Sequence, residues 1–417
     1  MKRRFLAFLV CMAVLLASFT GCYSAQDGPL TLSSSQTMQS NSGSGAEEPV
    51  EIKTYPLPEE NVQANIIYVP SPSTGGFWTC AVFNAKTIQA YDPATRTTYF
   101  PCYQAGCKHT DASCTANFGG GISGFAEYRG NFYAMIYYND ETASAFVTRP
   151  VSGGPLQILA SWEPENENEE CRCGFYGLSF GKAYLTVSKE TYAMKDGQTE
   201  SVKEEYSKCS LDLETGELVE YMADEDGYLP YMHGVWGDVA VFQDWYADRP
   251  DGTPVKRDGS EDYNFRLYSK NLRTGEEKTI VDVTENFIWT ADPHVSWGQY
   301  TVYQVDRSVY VYDMETQTSK KLFTHDPDWD FYNYMILDGH VMVIGGTEDT
   351  CRAWAIDIMD GSVVELDTRG GNVVAFGANY ECNGYFAGLK RNSSGDFEQC
   401  YISKEDFYRS NYDAAFR

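Results

Sequence analysis

Seven times between Gly75 and Lys390 the chain repeats one phrase: a turn glycine followed by a short strand of alternating apolar residues. The units read GGFWTCAVF from Gly75, GNFYAMIYY from Gly130, GKAYLTVS from Gly181, GDVAVFQD from Gly237, GQYTVYQV from Gly298, GHVMVIGG from Gly339 and, in its weakest form, NGYFAGLK from Asn383. A second strand and a turn of Asp, Thr or Gly follow in YDPATRTT, RPVSGGPL, LDLETGEL, KNLRTGEE, YDMETQTS and IDIMDGSV. Period-two alternation means a strand with one face buried, and convincing helical periodicity is absent. The turns fall at 76, 130, 181, 237, 298, 339 and 384, at intervals of 41 to 61 residues. Units of that length, with four short strands each, bury their faces by radial stacking. The repeat therefore predicts an all-β chain, a β-propeller of seven blades over residues 64–417. One misread repeat would make it six or eight. A pair of β-sandwiches is the competing architecture, disfavoured because one register runs through the whole domain.

The segment ahead of the repeat has a different chemistry. MKRRFLAFLVCMAVLLASFTGC opens with the basic Lys2, Arg3 and Arg4 and continues with an apolar stretch, Phe5 to Ala17, too short for a permanent membrane span. It predicts an export signal over residues 1–21. Its ending, Phe19-Thr20-Gly21-Cys22, resembles the lipobox of bacterial lipoproteins, with Phe where Leu is usual. That resemblance implies a lipid on Cys22, and acyl chains would anchor the protein without a transmembrane helix. Residues 22–63 then form the expected linker, because YSAQDGPLTLSSSQTMQSNSGSGAEEP is too polar to bury a core. Its reach is on the order of 30 Å.

A propeller repeat behind this leader resembles exported bacterial lipoproteins with a C-terminal β-propeller, relatives of TolB-like and WD40-like propellers. The resemblance covers residues 64–417 and implies a fold; propellers host many unrelated activities. It places the protein on the extracytoplasmic side of a bacterial cell membrane. Formal charge is −27, or −30 once the three basic residues of the leader are gone, with 29 basic against 59 acidic residues. So acidic a surface repels nucleic acid and anionic lipid headgroups, which removes both from the list of partners.

Of 12 cysteines, ten remain after Cys11 and Cys22 are set aside. Three of them lie with a histidine in CYQAGCKHTDASC, as Cys102, Cys107, His109 and Cys114. Cys3His is a standard tetrahedral zinc set, here supplied by one short loop. Its spacing departs from the usual Cys-x2–4-Cys pairs, so a local disulfide is the alternative. A c-type haem is excluded because His109 does not directly follow Cys107. The resemblance to propeller lipoproteins implies loops of this Cys/Cys-x-His/Cys kind and favours metal, a structural zinc with four protein ligands and no open position for water.

In a four-stranded antiparallel blade, with strands A to D running outward from the axis, the A–B and C–D turns emerge at one end. The B–C hairpin and the connection to the next blade emerge at the other. The long segments all map to this second end: Cys102 to Gly121, SKETYAMKDGQTESVKEE, QDWYADRPDGTPVKRDGSED and EPENENEECRC. Long loops on a rigid scaffold are where binding concentrates. Exposed aromatics there can stack on sugars, and Trp245, Tyr246, Trp329 and Tyr332 are the ligand-binding candidates, weighed against the aromatic demand of propeller strands themselves. HDPDWD, His325 to Asp330, alternates carboxylates like a calcium loop but lacks its glycine and closing glutamate. Cys171 and Cys173 could pair with Cys209 or Cys351, and His233 and His294 read as structural. No nucleophile elbow, Walker loop, dinucleotide fingerprint or zinc-protease helix is present. The expected function is a lipid-anchored binding or interaction module for protein or glycan. An exported glycan or peptide hydrolase and an envelope assembly scaffold are the alternatives.

Overall fold

The computed structural model describes residues 53–417 apart from short stretches, the longest being 247–263, 284–295 and 368–375. The chain forms seven antiparallel sheets, taken up in sequence order. Blade 1 spans Val69–Pro70 to Thr97–Tyr99, and blade 2 spans Gly121–Tyr128 to Gln157–Trp162. Blade 3 spans Glu169–Ser179 to Leu218–Asp224, and blade 4 spans Tyr231–Trp236 to Glu277–Val283. Blade 5 spans Ser296–Trp297 to Thr318–Thr324, and blade 6 spans Asp330–Leu337 to Val363–Leu366. Blade 7 has three strands, Phe376–Cys382 to Phe397–Ser403, and a single bridge from Phe416 to Tyr401 at its outer edge.

The core confirms the ring. Buried apolar residues gather into seven clusters, one between each pair of neighbouring blades. Alternation along each strand feeds both neighbours, which is why no single repeat could fold alone. Blades 7 and 1 close through Phe77, Cys382, Ala387 and Tyr401, with Tyr91 stacked on Tyr401 at 4.1 Å. Among the described residues no strand is exchanged across this seam: each of the two blades is built from contiguous chain.

The repeated Asp/Thr/Gly turn has a local cause. The last residue of strand C caps the C–D turn, its side-chain oxygen accepting backbone N–H groups two and three residues on. Asp92, Asp212, Asn271, Asp313 and Asp357 all do this. Gly216, Gly275 and Gly361 take the left-handed position that follows, whereas Arg96 (φ 56°) and Gln317 (φ 53°) occupy it in blades 1 and 5. Hydrogen bonds from Thr215 hold Asp212 below the ordinary carboxylate range, and the Thr95 hydroxyl does the same for Asp92. A depressed folded value means stability that is present above the unfolded carboxyl's 3.8 and lost as pH falls through the folded one. Asp92→Asn/Asp212→Asn is therefore expected to leave Tm at pH 7 nearly unchanged, since Asn271 caps equally well, and to flatten its fall below pH 4. Identical acid limbs for variant and wild type would refute this.

Residues 53–63, which the sequence assigns to the linker, instead form a strap across the A–B turn end. This is a correction to the domain boundary at 64. Lys53 pairs with Asp360 on blade 6, and Tyr55 inserts beside Gly339 of that blade. Glu60 accepts from Tyr128 and Arg129 on blade 2. The chain then turns down the axis, where Asn61–Gln63 adds a fifth strand to blade 3, pairing antiparallel with Gly177–Ser179. Asn65 bridges Phe125 of blade 2 before blade 1 begins.

Candidate metal centre and central channel

Cys102, Cys107, His109 and Cys114 meet at the end opposite the strap, in the connection from blade 1 to blade 2. Their four ligand atoms all lie within 4.8 Å of one another. The local chain is stitched to make this possible. Gly106 (φ 73°) and His109 (φ 59°) supply the two left-handed turns that fold the loop back. Gln104 Nε2 donates to the Ser113 carbonyl at 2.9 Å, and Thr115 Oγ1 donates to that of Pro101 at 2.7 Å. Phe118 N donates to Lys86 O at 2.8 Å, which fastens the loop to the start of the neighbouring strand. Cys114 is fully buried, while the other three are half-buried.

The donors fit a soft divalent ion. His109 Nδ1 stands 3.2 Å from Cys114 Sγ, and Phe100 stacks on the imidazole at 4.2 Å, fixing the ring. Two sulfurs accept backbone N–H groups from two residues downstream: Cys107 from His109 and Cys114 from Ala116, both at 3.4 Å. Such bonds stabilise thiolate over thiol. A hydrogen bond from the Gln104 backbone leads in drawing Cys102 down to about 6, whereas burial pushes Cys114 up to about 11. Tetrahedral zinc–thiolate bonds of ~2.3 Å set sulfurs about 3.8 Å apart, so closure needs shifts of only about 1 Å. None of the nine cysteines whose side chains are described forms a disulfide. The cluster can hold a metal ion with four protein donors.

A second feature is the channel. Where the strap descends, it leaves a cavity of about 110 Å³ against the inner strands of blades 5 to 7. Val62, Gln63, Trp297, Ile336, Tyr380 and Glu381 are among its walls. Sites that enclose a small-molecule ligand run to roughly 300–1,000 Å³, so the channel with the strap in place is too small for a glycan. Beside it lies a buried ionic network. Lys404 Nζ donates to Asp338 Oδ1 at 2.8 Å and Glu381 Oε2 at 2.9 Å, and Trp297 Nε1 donates to Glu381 Oε1 at 2.9 Å. Tyr55 seals it from outside, its N–H on Asp338 and its hydroxyl on Asp357 at 2.7 Å. Its ring lies where a Cβ on residue 339 would meet it at 2.6 Å, so only glycine fits. Burial raises the Glu381 carboxyl above its ordinary value.

The remaining sequence candidates fall as follows. Trp245 and Tyr246 lie at the loop-bearing end of the second strand of blade 4 (Val239–Tyr246), and Tyr332 lies early on the first strand of blade 6 (Asp330–Leu337). Trp329, Cys22, His294 and most of HDPDWD lie outside the described residues. Cys171, Cys173 and Cys209 are buried thiols. His233 is buried against Gln243 at 2.9 Å, and burial lowers it to about 4, so it stays neutral as a structural residue would. The hairpin of Lys182–Lys195 and Gln198–Asp212 has the longest paired strands among the described residues and projects from the metal-loop end. Sequence reasoning missed Tyr55, Asp338, Glu381 and Lys404, which are joined to one another and to Asp357 across 23 to 302 residues.

Seven radial sheets with seven interfacial cores define a β-propeller. No family model and no curated protein matches the sequence. Solved structures that resemble it include the β-propeller domain of the Trilobed protease from Pyrococcus furiosus, at 11% identity and TM-score 0.42, covering 82% of this chain and 96% of that one. An oligogalacturonate lyase in complex with manganese follows at 11% identity and TM-score 0.41, with 84% of each chain covered. TolB from Acinetobacter baumannii shows 11% identity and TM-score 0.29 over 73% of this chain and 62% of that one.

Proposed function

We propose that the protein is a lipid-anchored, extracytoplasmic binding module that presents the loop-bearing end of its propeller to a protein or glycan partner. The observation that carries this is polarity. The N-terminal strap arrives at the A–B turn end. The clasped Cys102–Cys114 loop and the long hairpin stand at the other. An anchor on Cys22 would therefore hold the turn end towards the membrane and direct the loops away from it. No helix among the described residues is long and apolar enough to cross a bilayer. A structural zinc in the Cys3His loop would set the shape of the presenting surface without taking part in chemistry.

Two experiments decide the matter. Cys22→Ser is expected to release the protein from membranes, and persistent attachment would overturn the anchor. On glycan and peptide arrays, retention without turnover is expected, and replacing residues 189–205 by a tight turn should abolish it. Product formation that disappears on a single Asp or Glu substitution would replace binding by hydrolysis as the function.

A further inference from the structure

Arg149 sits on the third strand of blade 2 (Ala143–Pro150) and is 2% exposed. It is one of three fully buried cations among the described residues. Lys404 lies between two carboxylates, and Lys208 ends on the hydroxyl and ring of Tyr176. Arg149 has neither arrangement. Its Nη1 donates to the carbonyl of Cys114 at 2.8 Å and to that of Asn117 at 3.0 Å, its Nε has no acceptor, and the Phe118 ring lies 5.5 Å away. Among the described residues no carboxylate pairs with it.

A permanently charged guanidinium costs several kcal/mol to bury unless a negative charge lies close by. The turn it grips, Cys114 to Asn117, carries the one buried ligand of the metal loop. We propose that Arg149 is the outer-sphere counter-charge of the Cys3His centre, which holds a divalent ion through three thiolates and a neutral imidazole at net charge −1. The proposal rests on the metal reading of that loop and adds to it the charge of the centre and the residue that balances it. The arithmetic is specific. Three thiolates and a divalent cation leave one negative charge, matched by one guanidinium. A disulfide would leave Arg149 beside a loop whose bonded sulfurs carry no charge, and a trivalent ion would leave a neutral centre. The thiol protons leave to solvent when the metal enters.

The test is cobalt binding to the mature chain by chelator competition, read by thiolate-to-cobalt charge-transfer absorption. Arg149→Lys keeps the charge and is expected to hold cobalt within about 3-fold of wild type. Arg149→Gln keeps a donor for the carbonyls but loses the charge, and should weaken binding by about 10- to 100-fold, the usual loss for an outer-sphere partner. Equal binding by Arg149→Gln and wild type, or equal losses in the two variants, would overturn the counter-charge role alone. A wild-type chain that shows no thiolate–cobalt absorption would overturn the metal reading itself. Should Arg149→Gln fail to fold, X-ray absorption on the wild type decides instead: three sulfurs and one nitrogen around the metal support the proposal, and two sulfurs refute it.

Discussion

Cys114→Ser is expected to reduce bound metal from about one ion per chain to none and to expose the 100–120 loop to hydrogen exchange, while the propeller stays folded. Cys114 is the donor with most at stake because it alone is fully buried and because Arg149, His109 and Ala116 all converge on it. Structural zinc sites bind with apparent free energies on the order of 10 kcal/mol, but only the share that orders this one loop appears in global stability. About 2 kcal/mol of that kind lowers Tm by about 3 °C in a domain of this size. Chelator applied to the wild type should reproduce both effects, which separates loss of metal from loss of a buried sulfur. Alkylation with mass analysis supplies the contrary outcome: if two of Cys102, Cys107 and Cys114 resist labelling in unfolded, metal-free protein, the loop is closed by a disulfide.

The sequence carried the ring and missed what crosses it. Gly130, Gly181, Gly237, Gly298, Gly339 and Gly384 all fall in A–B turns with positive φ, so one local requirement repeated at each blade makes the register readable. Residues 53–63 gave no such signal. Pro56, Pro58, Glu59 and Glu60 read as linker composition, and the strap is held by partners on five different blades, from Asp360 to Tyr128. Stabilisation that comes wholly from distant partners leaves no periodicity to find. The cysteine loop was intermediate. Its spacing named the four donors, but the choice between metal and disulfide depends on where the sulfurs point and on Arg149, 35 residues further on. In the sequence that arginine is simply part of RPVSGGPL, a strand end before a turn.

Lys404→Met is expected to cost about 3–5 kcal/mol, the range for removing one partner of a buried ion pair. The ammonium lies between Asp338 of blade 6 and Glu381 of blade 7, none of the three being more than 6% exposed by side chain. Burial alone would weaken the Lys404 cation, but the two carboxylates outweigh it and raise its value. Without it, Asp338 and Glu381 face each other with the Tyr55 N–H, the Tyr408 hydroxyl, Trp297 Nε1 and the Asp338 N–H as neutral donors. The pH dependence follows from sign. Glu381 already has a folded value raised by burial, so protonation favours the folded state. Such a group contributes stability below its unfolded value that is lost as pH rises through the folded one. Losing the neighbouring cation raises Glu381 further, so the variant should recover more stability than the wild type as pH falls from 7 towards 5. Glu381→Gln placed on Lys404→Met should restore part of the loss at pH 7, because it removes one of the two uncompensated charges and keeps an acceptor for Trp297. Because Asp338 also receives the Tyr55 N–H, the single variant should loosen the strap as well, making residues 53–63 cleavable by protease at pH 7. A Lys404→Met protein with wild-type stability across that pH range and a protected strap would show that the network joins neither the two blades nor the segment that crosses them.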